Sequence, residues 1–131
     1  MIRPEKSTNK KIKGARKITF GGMTFDSKLE FNAYQKFAAN KLIFQYQKKI
    51  IIQPAFEYMG KRIQAITWTC DFWFPEHKIL LDTKGYATNE AKIKIKMAKR
   101  VFFLSEKEIE ILTPRTMNEV IEIIFTKLKK K

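Results

Sequence analysis

The chain has 131 residues, enough for one domain around a single hydrophobic core and too few for several. Hydrophobic residues make up 44% of it, which argues against a disordered chain, and no apolar run is long enough to span a bilayer. Lysine and arginine total 27 against 13 acidic residues, and the net charge of +14 points to a polyanionic partner, nucleic acid above all, over a membrane or a small-molecule substrate.

Residues 1–17 are basic and polar and are expected to form a mobile arm, with residues 18–131 as a single domain. Residues 1–19 carry seven basic side chains and one acidic. Lys10, Lys11, Lys13, Arg16 and Lys17 are therefore candidate phosphate contacts. The segment lacks the apolar stretch of a signal peptide, and the single Cys70 rules out an internal disulfide, so a cytoplasmic protein is expected. Ile18-Thr19-Phe20 and Met23-Thr24-Phe25 flank Gly21-Gly22, a hairpin signal. Ser27 and Glu30 have capping-box spacing, and Leu29, Ala33, Phe37 and Ala38 recur at helical intervals. A helix is expected over 27–39, stopping at Asn40.

The β-branched and aromatic run at 43–59 reads as a strand, bulged or edge-placed at Pro54. Gly60-Lys61 is a turn, residues 62–74 a long second strand, and Pro75–Lys78 a turn into a third, KILLDTK at 78–84, buried on both faces. Residues 90–104 alternate with period 2 in part, but their length favours a helix capped by Thr88 or Asn89. Residues 108–113 alternate as a strand. Thr116 and Glu119 open a last helix that buries Val120, Ile121, Ile124, Phe125 and Leu128.

Charges interrupt the two most apolar strands. A hairpin centred between Glu76 and His77 pairs positions that sum to 153, so Asp71 opposes Asp82 at about 4.5–5.5 Å. Asp82 and Lys84, two apart, share a face. Two carboxylates this close repel, and a divalent cation removes the conflict. Oxygen ligands with few protein donors suit Mg²⁺ or Mn²⁺. Such an ion activates water and stabilises charge on phosphoryl oxygen, and Lys84 adds a positive charge. Beside a basic surface, that chemistry is phosphodiester hydrolysis. A structural ion pair fits the D-x-K spacing as well, although buried pairs contribute little stability.

Asp71 on one strand and Asp82-Thr83-Lys84 on the next resemble the PD-(D/E)XK nuclease signature. The element order over residues 18–113 is similar to that superfamily's core. F-D-S-K-x-E at 25–30, Q-P at 53–54, T-x-D at 69–71 and D-T-K-G at 82–85 resemble small phage-encoded members of unknown function. Cys70 stands where the signature has proline, and Asp82 where glutamate is commoner. The resemblance implies an α/β fold, an α+β mixed sheet with a restriction-endonuclease-like αβββαβ core and an extra C-terminal helix. It implies Asp71, Asp82 and the Thr83 carbonyl as metal ligands and Lys84 as the catalytic lysine. Glu30 matches a first-helix acid that joins the metal in some members, or is only a helix cap.

The implied activity is Mg²⁺-dependent DNA cleavage in a bacterial host cell, by a phage or prophage product. Lys92, Lys94, Lys96, Lys99 and Arg100, with five basic and no acidic side chains over 91–100, are expected to face the nucleic-acid groove, and Tyr86 to stack on a base. Gln53 reads as a strand polar group, His77 as a solvated turn residue, Cys70 as a core thiol, and Trp68 and Trp73 as core. With no module for base readout, shape is the expected specificity: a homodimer cutting branched DNA such as a Holliday junction in recombination or replication; the apolar C-terminal helix is expected to pack on its own sheet, with the dimer interface as its other use. An inactive DNA-binding or regulatory protein on the same fold and an RNA-processing nuclease remain alternatives.

Overall fold

The computed structural model describes residues 17–84 and 88–129. Lys10, Lys11, Lys13, Arg16 and Tyr86, and the arm apart from Lys17, lie outside the described residues.

The fold is α/β, a mixed four-stranded sheet with three helices. A hairpin opens it: β1 (Ile18–Phe20) and β2 (Met23–Phe25) join at Gly21-Gly22, both with positive φ as a two-residue turn requires. Helix α1 spans Lys28–Ala39, and the Ser27 hydroxyl accepts the Glu30 N–H at 3.1 Å. Strand β3 (Gln45–Gln53) ends at Pro54, which has no N–H for the ladder. A small hairpin follows, β4 (Phe56–Tyr58) and β5 (Lys61–Ile63), turning at Met59-Gly60. Then come β6 (Ile66–Phe74), β7 (Ile79–Leu81), α2 (Asn89–Leu104, capped by Thr88), β8 (Glu110–Leu112) and α3 (Met117–Ile123, capped by Thr116). Helix α3 runs on into a π-helical segment, Ile124–Leu128.

The sheet order is β3-β6-β7-β8, antiparallel except for the parallel β7–β8 pair made through α2. On one face α1 and α3 bury Ala33, Phe37, Val120 and Ile124 against Phe72, Phe74, Ile79 and Leu81. On the other, α2 buries Ile95, Ala98 and Phe102 against Ile52, Trp68, Cys70 and Leu80. Both faces of β7 are covered, which explains its unbroken apolar run.

Three expectations need correction. The expected strand at 62–74 is two, β5 and β6, because Gln64 and Ala65 leave the small hairpin before the ladder resumes at Ile66. The third strand stops at Leu81, and the last bond of its parallel ladder runs from the Asp82 N–H to the Leu112 carbonyl at 2.9 Å. Phe125, expected in the core, is 60% exposed under the Lys129 ammonium, while Val120, Ile124 and Leu128 are buried and Ile121 is half-buried. The π-helical step changes the angular spacing along this last turn. Phe125 is thus an exposed apolar side chain of this last helical stretch, with Ile121 and Ile123 half-buried beside it.

Candidate functional site

β6 and β7 pair in the register Phe72–Leu81, Trp73–Leu80 and Phe74–Ile79, whose positions sum to 153 as the turn implies. Asp71 and Asp82 come next, just past the ladder. Each carboxylate crosses to the other strand. Asp82 Oδ1 accepts the Asp71 N–H at 3.1 Å, and Asp71 Oδ2 accepts the Thr83 N–H at 2.9 Å and its hydroxyl at 2.8 Å. All three residues are buried. Side chains thus tie β6 to the chain leaving β7 where the backbone ladder between them has stopped.

The backbone around Asp71 departs from simple alternation. Trp68 and Cys70 pack on the α2 face, yet Phe72 and Phe74, also even-numbered, pack on the α1 face. The sense reverses at Asp71. On β3 the same reversal falls between Tyr46 and Ile50, where Gln47 has φ +67. The ladder pairs Tyr46 with Phe72 and Lys48 with Cys70 and skips Gln47 and Asp71. Irregularities of this kind re-aim a side chain, and here the residue re-aimed is Asp71.

Lys84 does not share a strand face with Asp82, because both lie beyond β7. Its ammonium instead bonds the Asp26 carboxylate, 58 residues back in the chain, and lies 3.8 Å from Glu30 Oε1. Glu30 is fully buried. Its Oε1 accepts the Asp26 N–H at 3.2 Å and its Oε2 accepts the Tyr46 hydroxyl. The glutamate thus takes part both in the helix start and in the acidic cluster. Neither Asp26, which stands in the F-D-S-K-x-E stretch, nor Tyr46 was expected in the site from the sequence. The signal for Asp26 was its place just before the N-cap Ser27; no local signal marks Tyr46.

Burial, then the charge of Asp71, pushes the Asp82 carboxyl up to about 8, and the same two causes raise Glu30. Burial pulls the Lys84 ammonium down, but the Asp26 hydrogen bond and the Asp71, Glu30 and Asp26 charges outweigh it, so Lys84 is raised and stays protonated. The Lys84 hydrogen bond in turn holds Asp26 below its ordinary value. Burial raises the Cys70 thiol, an inert core group whose Sγ lies 3.4 Å from the Leu81 carbonyl oxygen.

Oδ1 of Asp71 and Oδ2 of Asp82 receive no N–H among the described residues. Buried carboxylate oxygens without a donor call for a proton or a cation. The side-chain donors present, the Asp71 and Asp82 carboxylates, are hard oxygens of the kind that suits Mg²⁺ or Mn²⁺, and the Thr83 carbonyl is the further ligand that the nuclease resemblance implies. Among the described residues no three His, Cys, Asp or Glu side chains are grouped around one such position, because Glu30 is turned to Tyr46 and Asp26.

A cleft of about 250 Å³ opens beside Asp82 and Lys84, walled by Trp68, Thr69 and the first turns of α2, including Lys94. Lys94 pairs with Glu90 at 3.1 Å. Lys92 lies about 160° around the helix from it. Lys92, Lys96 and Lys99 are exposed on that other flank, and Arg100 is exposed too; none lines the cleft. Lys17 pairs with Asp26 at 3.0 Å, at the edge of the site. Gln53 pairs with Ile66 at the far end of β6 and is not brought to the site. Trp68 is buried and Trp73 and His77 are half-buried.

No helix among the described residues is long and apolar enough to cross a membrane. Comparison with curated proteins and with solved structures found no match. A family model described as "Protein of unknown function (DUF1064)" matches residues 10–111, a span that holds Asp26, Glu30, Tyr46, Asp71, Asp82, Thr83 and Lys84 and stops before α3. The chain belongs to the DUF1064 family.

Proposed function

We propose that the protein is a Mg²⁺- or Mn²⁺-dependent endodeoxyribonuclease of the PD-(D/E)XK kind that hydrolyses DNA phosphodiester bonds. The observation that carries this reading is the pair of buried aspartates, Asp71 within β6 and Asp82 just past β7, each with an oxygen that receives no N–H among the described residues, beside a protonated lysine and an open cleft. Asp71, Asp82 and the Thr83 carbonyl hold the cation. When bound, the ion supplies a more acidic water and charge compensation at the phosphate. Lys84, being protonated, is no base; its ammonium donates to a non-bridging phosphate oxygen as negative charge builds there. Asp26 fixes the direction of that ammonium. Lys94 on the cleft wall holds a neighbouring phosphate.

The favoured substrate is branched DNA, in the cytoplasm of a bacterial host and encoded by a phage or prophage. One such site serves one strand, so resolving a junction takes two copies. The second reading, an inactive DNA-binding protein, draws on the absence of a third grouped ligand among the described residues. Incubation with linear duplex, single strand, flap, fork, four-way junction and RNA, with Mg²⁺ or with chelator, separates them. Metal-dependent cutting, fastest on branched DNA, is the expected result. Binding without cutting favours the second reading, and cutting confined to RNA overturns the choice of DNA.

A further inference from the structure

The β4–β5 hairpin has no role in the chemistry above, and folding does not explain its composition. Its strands pair Phe56 with Ile63, Glu57 with Arg62 and Tyr58 with Lys61. Opposed residues share a face and alternate ones return to it, so Phe56, Tyr58, Lys61 and Ile63 lie on one side. Ile63 is half-buried, but the rest of that side stands in solvent: Phe56 is 45% exposed, Tyr58 62% and Met59, at the tip, 84%. Two-stranded hairpins are marginal without packing on one face. The tip is costly twice over. Met59 has φ +51 in a turn that favours asparagine or glycine, and its apolar side chain stands in water.

The hairpin also stands at the end of the sheet where the site opens. β7 runs antiparallel to β6, so Asp82–Lys84 leave it toward the Ile66 end. Asp71 is five residues from Ile66 along β6, about 17 Å. A DNA strand lying over the aspartates reaches the Gln53–Ile66 pair, from which the hairpin extends, in about five base steps. Residues 45–66 carry four basic side chains, Lys48, Lys49, Lys61 and Arg62, against one acidic, Glu57. An aromatic and thioether surface with a cation beside it, on a basic ribbon, has the chemistry of a platform for nucleobases.

We propose that the Tyr58–Met59 tip and the Phe56 face stack on unpaired bases of DNA held across the site, so that the hairpin selects branched over continuous duplex. This deepens the nuclease reading and rests on it for the position of the DNA. Continuous duplex keeps its bases stacked and offers the tip no partner; a branch point or single-stranded flank does.

The test is equilibrium binding of the full chain in chelator, so that cleavage is not read, to a fluorescent four-way junction with unpaired bases at its centre and to linear duplex. Three variants are compared with wild type: Tyr58→Ala with Met59→Asn, which suits the turn; Tyr58→Ala alone; and Tyr58→Phe, which keeps the ring. The double variant is expected to bind the junction about tenfold or more weakly and duplex within about twofold of wild type. Tyr58→Phe should match wild type, and Tyr58→Ala fall between. Equal losses on both DNAs, or none on the junction, overturn the proposal. So does sedimentation showing that the double variant turns a dimer into a monomer, which makes the face a contact between copies. If wild type cuts DNA with Mg²⁺ but the double variant binds as wild type does, the hairpin proposal fails and the nuclease reading stands. If junction binding depends on Tyr58 as expected but nothing is cut, the nuclease reading fails and the hairpin proposal stands.

Discussion

At Asp82, burial and the charge of Asp71 both oppose ionisation, and the carboxyl's pKa rises from its ordinary 3.8 to about 8. Below about pH 4 folded and unfolded chains both keep this proton, and the group is neutral to stability. Between pH 4 and 8 the unfolded chain has released it while the folded one retains it, so folding weakens as pH rises; above about 8 the loss is complete. Glu30, raised by burial and by Asp71, acts in the same direction. Lowered Asp26 and raised Lys84 act below and above this window. Metal-free protein is therefore expected to melt at progressively lower temperature from pH 4 to 8, and Mg²⁺ or Mn²⁺ to restore the melting temperature most at pH 8. A melting temperature in chelator that climbs over this range contradicts the account. Asp26 gives a second prediction. Asp26→Asn removes the charge that orients Lys84, so cleavage should slow about ten- to hundredfold while DNA affinity stays within about twofold. An unchanged rate means the ammonium is directed by Glu30 alone.

Among the elements, the β3–β6 ribbon decides where Asp71 points. Gln47 is exposed and has positive φ, where a β-branched side chain is badly placed and glycine is at ease. Gln47→Val should cost about 1–2 kcal/mol of stability and slow cleavage, whereas Gln47→Gly should leave both near wild type. Chemical denaturation with a rate assay checks this; equal effects of the two mean that the reversal at Asp71 does not depend on this backbone angle. The ribbon also marks the boundary of what could be read from sequence. The β6–β7 register was legible because a short turn and two apolar runs leave few pairings. Helices α1, α2 and α3 were legible through Ser27, Thr88 and Thr116, whose side chains each cap a backbone N–H. The reversal of alternation was not legible, since nothing in Gln47 or Asp71 announces a positive φ or a skipped pair. Nor was the Asp26–Lys84 bond, which joins the entry of α1 to the end of β7 across 58 positions. The spacing placed the two aspartates side by side. It could not foresee that each reaches over to the other's strand.

Across the whole molecule the net charge is +14, and α2 divides its lysines between two flanks. Lys94 lines the cleft, and Lys92, Lys96 and Lys99 lie on the other flank of α2. Lys94→Ala should reduce the slope of log affinity against log salt by about 1, while neutralising the other three together should change it less than three cleft contacts would. A larger change from the triple variant places the DNA along the outer flank of the helix. The two aspartates remain the centre of the account, and Asp82→Asn isolates them best. The amide keeps an oxygen to accept the Asp71 N–H, but it removes a charge that burial opposes and a cation needs. The direct measurement is the single-turnover cleavage rate of wild type and Asp82→Asn on a four-way junction at saturating Mg²⁺, with the melting temperature of each in chelator at pH 8. The variant is expected to melt higher than wild type, bind the junction normally and leave it uncut. Cleavage by Asp82→Asn at the wild-type rate would contradict this.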